Sequence, residues 1–162
     1  MTMKLGNTAK LIVSCAVPIL VGLFGAFFTT DDSINNWYAN LNKPVFTPPD
    51  WLFGPVWTTL YILMGISAFL VWRKGLADKA IRKALVFFIV QLVFNALWSL
   101  LFFGLRSPLL GLIDIFLLEF AIILTLICFE EISIPAVLLL VPYLGWVTFA
   151  AILNLAIYFM NR

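Results

Sequence analysis

Residues 84–105, ALVFFIVQLVFNALWSLLFFGL, run from Lys83 to Arg106 without one charged side chain. As a helix rising 1.5 Å per residue, the run extends about 33 Å, enough to cross about 30 Å of hydrocarbon. Within it Gln91, Asn95, Trp98 and Phe102 fall at i, i+4, i+7 and i+11, which is one stripe of a helix. Three more uncharged runs flank it: 11–30, 51–72 and 132–161. A fifth, 107–129, is apolar apart from Asp114 and Glu119. The pattern predicts an all-α, integral membrane bundle of five transmembrane helices in one domain, 1–162. The expected spans are about 8–30, 48–73, 80–104, 107–129 and 134–160, with a loop at 31–47.

Composition agrees. The chain is 64% hydrophobic and 11% charged, with a mean hydropathy of +1.09, against about 45–50% and 25% in soluble domains. A water-soluble enzyme and a disordered tail are excluded, and the bilayer is the expected partner surface. A net charge of +2 offers no footprint for nucleic acid. With no histidine, the commonest metal and haem ligand is missing, and no metal site is expected. Cys15 and Cys128 form no CxxC pair and read as small buried apolar residues. The first run has Lys4 and Lys10 before it but is long, carries Pro18 and shows no A-x-A site, so a retained span is expected.

Charge orients the spans. Lys4, Lys10, Arg73, Lys74, Lys79, Arg82 and Lys83 fall on one side, and Lys43, Arg106 and Arg162 on the other. The positive-inside rule then places the amino terminus in the cytoplasm and the carboxyl terminus outside. The expected location is a bacterial cytoplasmic membrane. Thr47-Pro48-Pro49-Asp50 reads as a capping box, and Ser107-Pro108 as the start of the fourth helix. The loop 31–46 holds Trp37, Tyr38, Leu41, Val45 and Phe46. Trp37 and Leu41 at i, i+4 would share a face of a short helix, and the segment reads as a packed lid over the outer mouth.

Two other helices carry stripes: Phe53, Trp57 and Tyr61 in the second, and Tyr143, Trp146, Ala150 and Asn154 in the fifth. Counted from the expected helix ends, Trp57 lies about 14 Å deep, Asn95 about 15 Å and Trp98 about 10 Å. Converging stripes would line an aromatic cavity for a flat, largely apolar ligand. Spacing alone fits plain packing equally well. Trp72 and Trp51 read as interfacial anchors, and an interior Asn can simply join two helices. Pro18, Pro55 and Pro142 are expected to interrupt their helices and free the carbonyls of Ser14, Trp51 and Leu138. Asp114 and Glu119 have no intramembrane cation as partner. They read either as a proton-coupled transport site or, more simply, as protonated acids bonding neighbouring helices. No nucleophile–base pair, phosphate loop or metal cluster is present. Leu155, Tyr158 and Arg162 fit the pattern proposed for cholesterol contact, for which a helix-closing interfacial pair is the simpler reading. Gly22 and Ala26 have GxxxG-like spacing, a hint of a dimer face.

Taken together, these residues resemble the TspO/MBR family of translocator and tryptophan-rich sensory proteins. The loop matches through Trp37, Tyr38, Leu41, Lys43, Pro44 and Thr47-Pro48-Pro49. The second helix matches through Phe53-Gly54-Pro55-Val56-Trp57-Thr58, Leu60, Tyr61 and Gly65. The third matches through Gln91, Leu92, Asn95, Trp98, Ser99 and Phe102-Phe103-Gly104. The fifth matches through Pro142, Tyr143, Trp146, Phe149, Ala150, Leu153 and Asn154. The resemblance implies a five-helix bundle, often a homodimer, binding porphyrins, sterols and synthetic benzodiazepine- or isoquinoline-type ligands under the first loop. No cofactor is obligatory; porphyrin enters as ligand. Trp57, Asn95, Trp98, Trp146 and Ala150 correspond to ligand-contacting positions. Trp57 and Trp146 also match tryptophans implicated where bacterial members degrade protoporphyrin in light, which makes them the catalytic candidates. Where the family often has Trp two residues after the loop proline, this chain has Phe46.

The expected binding set is therefore Trp37, Lys43, Trp57, Tyr61, Asn95, Trp98, Tyr143, Trp146, Ala150 and Asn154. The three deep tryptophans would stack on a tetrapyrrole. Asn95 and Asn154 would supply polar contacts, and Lys43 or Arg106 would neutralise a propionate. A receptor, a porphyrin-degrading enzyme and a small tetrapyrrole or sterol transporter all remain open at this stage.

Overall fold

The structure, a computed structural model, describes residues 6–162; Lys4, counted above among the basic residues, lies outside them. Five long helices are present: α1 (Asn7–Phe28), α2 (Phe53–Trp72), α3 (Lys79–Ser99), α4 (Pro108–Glu130) and α5 (Ile134–Met160). Each is long and apolar enough to cross a membrane. The helices pack in a ring, α1 against α2, α2 against α5, α5 against α4, α4 against α3, and α3 back against α1.

The helix boundaries follow local chemistry. Asp78 caps α3 by accepting from the Ala80 N–H at 2.8 Å, and the Ser107 hydroxyl accepts from the Leu110 N–H at 3.3 Å, with Pro108 as first helical residue. The turn between α3 and α4 places Arg106 in the left-handed region at φ 51°.

The capping box at Thr47 does not form. The Thr47 hydroxyl donates to the Pro44 carbonyl at 2.7 Å, Pro49 stays extended, and a 3-10 turn at Asp50–Leu52 precedes α2. The cause is Pro49, which bars its predecessor Pro48 from helical geometry. Because α2 starts at Phe53, Pro55 sits in its first turn instead of interrupting it. For the same reason Trp57 is about 6 Å from the helix start, not 14. Pro18 and Pro142 are inside α1 and α5 as expected.

The loop departs from the expected short helix too. Ser33–Tyr38 is a π-helical turn that ends before Leu41. Trp37 and Tyr38 pack edge-on against Phe102 and Phe103 at 5.3–6.4 Å between ring centres, where α3 ends in a second π turn, Leu100–Gly104. Asn42 and Asn161 exchange hydrogen bonds at 2.9 Å, tying the loop to the end of α5. Arg106 and Asp32 form an ion pair at its other end. These ties hold the loop over α3 and α5, off the centre of the ring.

Away from the loop the core is apolar and closed. Met64, Ala68, Val71, Ala84, Phe88, Phe129, Ala136 and Leu140 are buried there. A Cβ on Gly65 would stand 2.5 Å from Cys15 Cα, so the α1 and α2 backbones touch at this point. Small residues permit such approach in membranes, where packing rather than water expulsion drives helix association.

Candidate aromatic cavity

A cavity of about 400 Å³ occupies the loop end of the ring, within the range of small-molecule sites. Trp57, Tyr61, Asn95, Trp98, Trp146 and Ala150 all line it. The three helices therefore do turn their stripes to one space. No charged side chain is among the lining residues.

Each wall is held by a specific neighbour. Trp57 stacks on Tyr61, with ring centres 5.4 Å apart. The Tyr61 hydroxyl donates to Asn95 Oδ1 at 2.9 Å. Asn95 Nδ2 donates to the Tyr143 hydroxyl at 3.1 Å, which donates to Gln91 Oε1 at 2.9 Å. This chain links α2, α3 and α5 and ends at Gln91, whose Nε2 is buried without a partner. Such a connected network is rigid because breaking one member strands the next. On the other wall, Trp98 stacks on Phe102 at 4.9 Å, and its indole N–H donates to Asn154 Oδ1 at 3.2 Å. Asn154 Nδ2 in turn donates to the Pro108 carbonyl at 2.9 Å. Trp146 is different. It meets Phe53 edge-on at 5.8 Å, and its indole N–H is buried without a hydrogen-bond partner.

The remaining expected residues stand elsewhere. Tyr143 and Asn154 are buried behind the wall as struts, not on it. Trp37 lies against Phe102 outside the cavity. Lys43 Nζ donates to the Tyr38 carbonyl at 2.9 Å and sits 4.4 Å over the Tyr38 ring, and Arg106 is paired with Asp32. Both cations are committed to holding the loop. No residue of 31–46 is among the lining residues, and the segment reaches the cavity only through Phe103, against which Trp37 and Tyr38 pack. Phe46, at the position of the family's tryptophan, packs against Phe149 at 6.4 Å. Burial pushes the Tyr38 hydroxyl up to about 12, with Asp50 adding to the shift. Hydrogen bonding from Asn36 and then from Arg106 lowers the Asp32 carboxyl below its usual range.

Glu119 accepts from the Thr148 hydroxyl and so bonds α4 to α5. Asp114 is 3% exposed and its Oδ2 has no partner. Arg162 stacks over Phe159 at 4.6 Å at the chain end.

Reading the stripes missed α1. Gly22, Gly25, Ala26 and Thr29 all line the cavity. Of these, Gly22 and Ala26 carry the GxxxG-like spacing that hints at a dimer face, while Gly25 and Thr29 extend the same run of small residues. Within the chain, Gly22 receives the Tyr61 ring. Gln91, a member of the α3 stripe, closes the polar chain.

The sequence profile of the TspO/MBR family matches residues 14–160. The tryptophan-rich protein TspO of Archaeoglobus fulgidus is 49% identical over 155 residues, covering 96% of this chain and 99% of that protein. The translocator protein of Homo sapiens is 37% identical over 147 residues, covering 90% and 86%. The tryptophan-rich sensory protein of Cereibacter sphaeroides is 35% identical over 143 residues, covering 88% and 84%.

Proposed function

The chain belongs to the TspO/MBR family, and from that premise we propose that it is a membrane receptor for a tetrapyrrole such as protoporphyrin. The site is the aromatic cavity, with sterols as the second ligand class. One observation carries the reading: Trp57, Trp98 and Trp146 wall a single cavity of about 400 Å³. Flat aromatic ligands gain about 0.5–1.5 kcal/mol per well-placed ring contact beyond burial.

Electrostatics shape the pose. With Lys43 and Arg106 committed elsewhere, the macrocycle is held by its faces, and its propionates stay at headgroup level outside the apolar wall. With no histidine in the chain, a metal-free porphyrin is the better match. The basic residues between α2 and α3 set the amino terminus on the cytoplasmic side of the membrane.

The test is titration of protoporphyrin into purified protein, followed by tryptophan quenching. A Trp57→Phe/Trp146→Phe double variant is expected to bind at least about tenfold more weakly, equivalent to about 1.4 kcal/mol. Its near-ultraviolet circular dichroism, apart from the lost indoles, should be retained. Unchanged affinity in the double variant overturns the assignment.

A further inference from the structure

We infer that the cavity fills sideways from the bilayer, through a slot between the loop-end halves of α1 and α2. The inference rests on the ligand-binding reading and adds the route and the physical class of the ligand: an apolar molecule already dissolved in lipid.

The α1–α2 seam widens in steps. At Gly65 the two backbones touch. At Gly22 the seam is filled by the Tyr61 ring, which lies where a Cβ would stand. At Gly54 nothing comes within 4 Å of the corresponding position. Tyr61, pinned by Asn95 and stacked on Trp57, is the sill of the opening.

The residues at the opening face two ways. Leu23, Ala26, Gly54 and Thr58 line the cavity, and all four are exposed rather than buried between helices. Leu23 is 63% exposed. In a membrane-spanning helix that surface meets lipid. The rim is chemically suited to it, because its hydroxyls are satisfied within their own helices. Thr58 donates to the Gly54 carbonyl at 2.9 Å, and Thr29 donates to the Gly25 carbonyl at 3.2 Å. An opening toward water would have no need to hide these donors, whereas one toward hydrocarbon does. The alternative entrance, under the loop, is walled by Phe53 against Trp146 and by Phe103 against Trp98, each pair 5.8 Å between ring centres.

The first experiment uses reconstituted full-length protein and protoporphyrin supplied in lipid vesicles, read by stopped-flow tryptophan quenching. A Thr58→Phe substitution is expected to slow association and dissociation, each by about tenfold or more. Tethering the loop by a short bis-thiol reagent across Asn42→Cys and Asn161→Cys, in a Cys15→Ala/Cys128→Ala background, should leave both rates unchanged. Slowing by the tether and not by Thr58→Phe overturns the inference.

A second experiment needs no ligand. Ser99 lines the cavity from α3, its hydroxyl beside Gly25 of α1. In the same cysteine-free background, a Ser99→Cys variant should react with a lipid-soluble maleimide and resist a sulfonated one, and Thr58→Phe should suppress the first reaction. Equal reaction with the sulfonated reagent overturns the slot. Porphyrin failing to bind while this labelling pattern holds would defeat the ligand reading alone.

Discussion

At Gly65 the backbones of α1 and α2 touch, while about three turns away at Gly54 they stand apart around a cavity. The closed end is packed with aliphatic and small side chains around the stacked pair Phe88 and Phe129, and Ser67 contributes one buried cross-helix bond, to the Ala136 carbonyl at 2.6 Å. The open end concentrates tryptophans and a directed chain of Tyr61, Asn95, Tyr143 and Gln91. The difference shows where this bundle places polarity. Polar bonds are used to hold walls around an empty space that side-chain packing alone would collapse, while the closed end is held mainly by contact.

The sharpest way to break that contrast is to make one change at both ends. Gly65→Ala should destabilise by about 2–3 kcal/mol, since the added methyl meets the Cys15 backbone, which can yield only by moving α1. Gly54→Ala should stabilise by about 0.5–1 kcal/mol, because it meets nothing and favours the helix. Thermal unfolding in detergent reads both, and equal losses would erase the distinction.

Next in size is the polar chain. Tyr143→Phe strands the Asn95 N–H and the Gln91 carbonyl and should cost about 1–2 kcal/mol. Ser67→Ala, at the closed end, should cost about 0.6 kcal/mol, a typical membrane hydrogen bond. A reversed order would mean that the cavity walls do not depend on their struts.

The smallest effect belongs to the loop, which sits above both ends. The Asp32 carboxyl is depressed in the folded protein, so its contribution is present above its ordinary 3.8 and is lost as pH falls through the lower folded value. Tyr38 is raised, so its contribution is complete below its ordinary 10.0 and is lost as pH rises toward about 12. Hydrogen exchange of residues 31–47 should therefore accelerate at both extremes, and Asp32→Asn should abolish only the acid limb. Exchange that also changes in the cavity helices would show that loop and cavity are coupled.

Much of this was legible in the chain. Four uncharged runs, and a fifth interrupted only by Asp114 and Glu119, mark the five spans, because charge is costly in hydrocarbon. Helical periodicity put Trp57, Asn95, Trp98 and Trp146 on inward stripes. In the loop, Trp37 and Lys43 look alike in sequence whether they grip a ligand or a neighbouring element; only the fold shows that they meet Phe102 and Tyr38. The α1 wall was missed because small residues at helical spacing suit a dimer face and a cavity equally well.

Sequence by itself determined the number of helices, their membrane setting and the aromatic character of the inward faces, since these follow from hydropathy and a 3.6-residue period. Only the tertiary structure decided the ring order 1-2-5-4-3, which of the asparagines became struts, and that small residues of α1 help to wall the cavity. Those depend on how close two backbones can come, and that distance is set jointly by residues far apart in the chain, such as Gly65 with Cys15 and Gly22 with Tyr61.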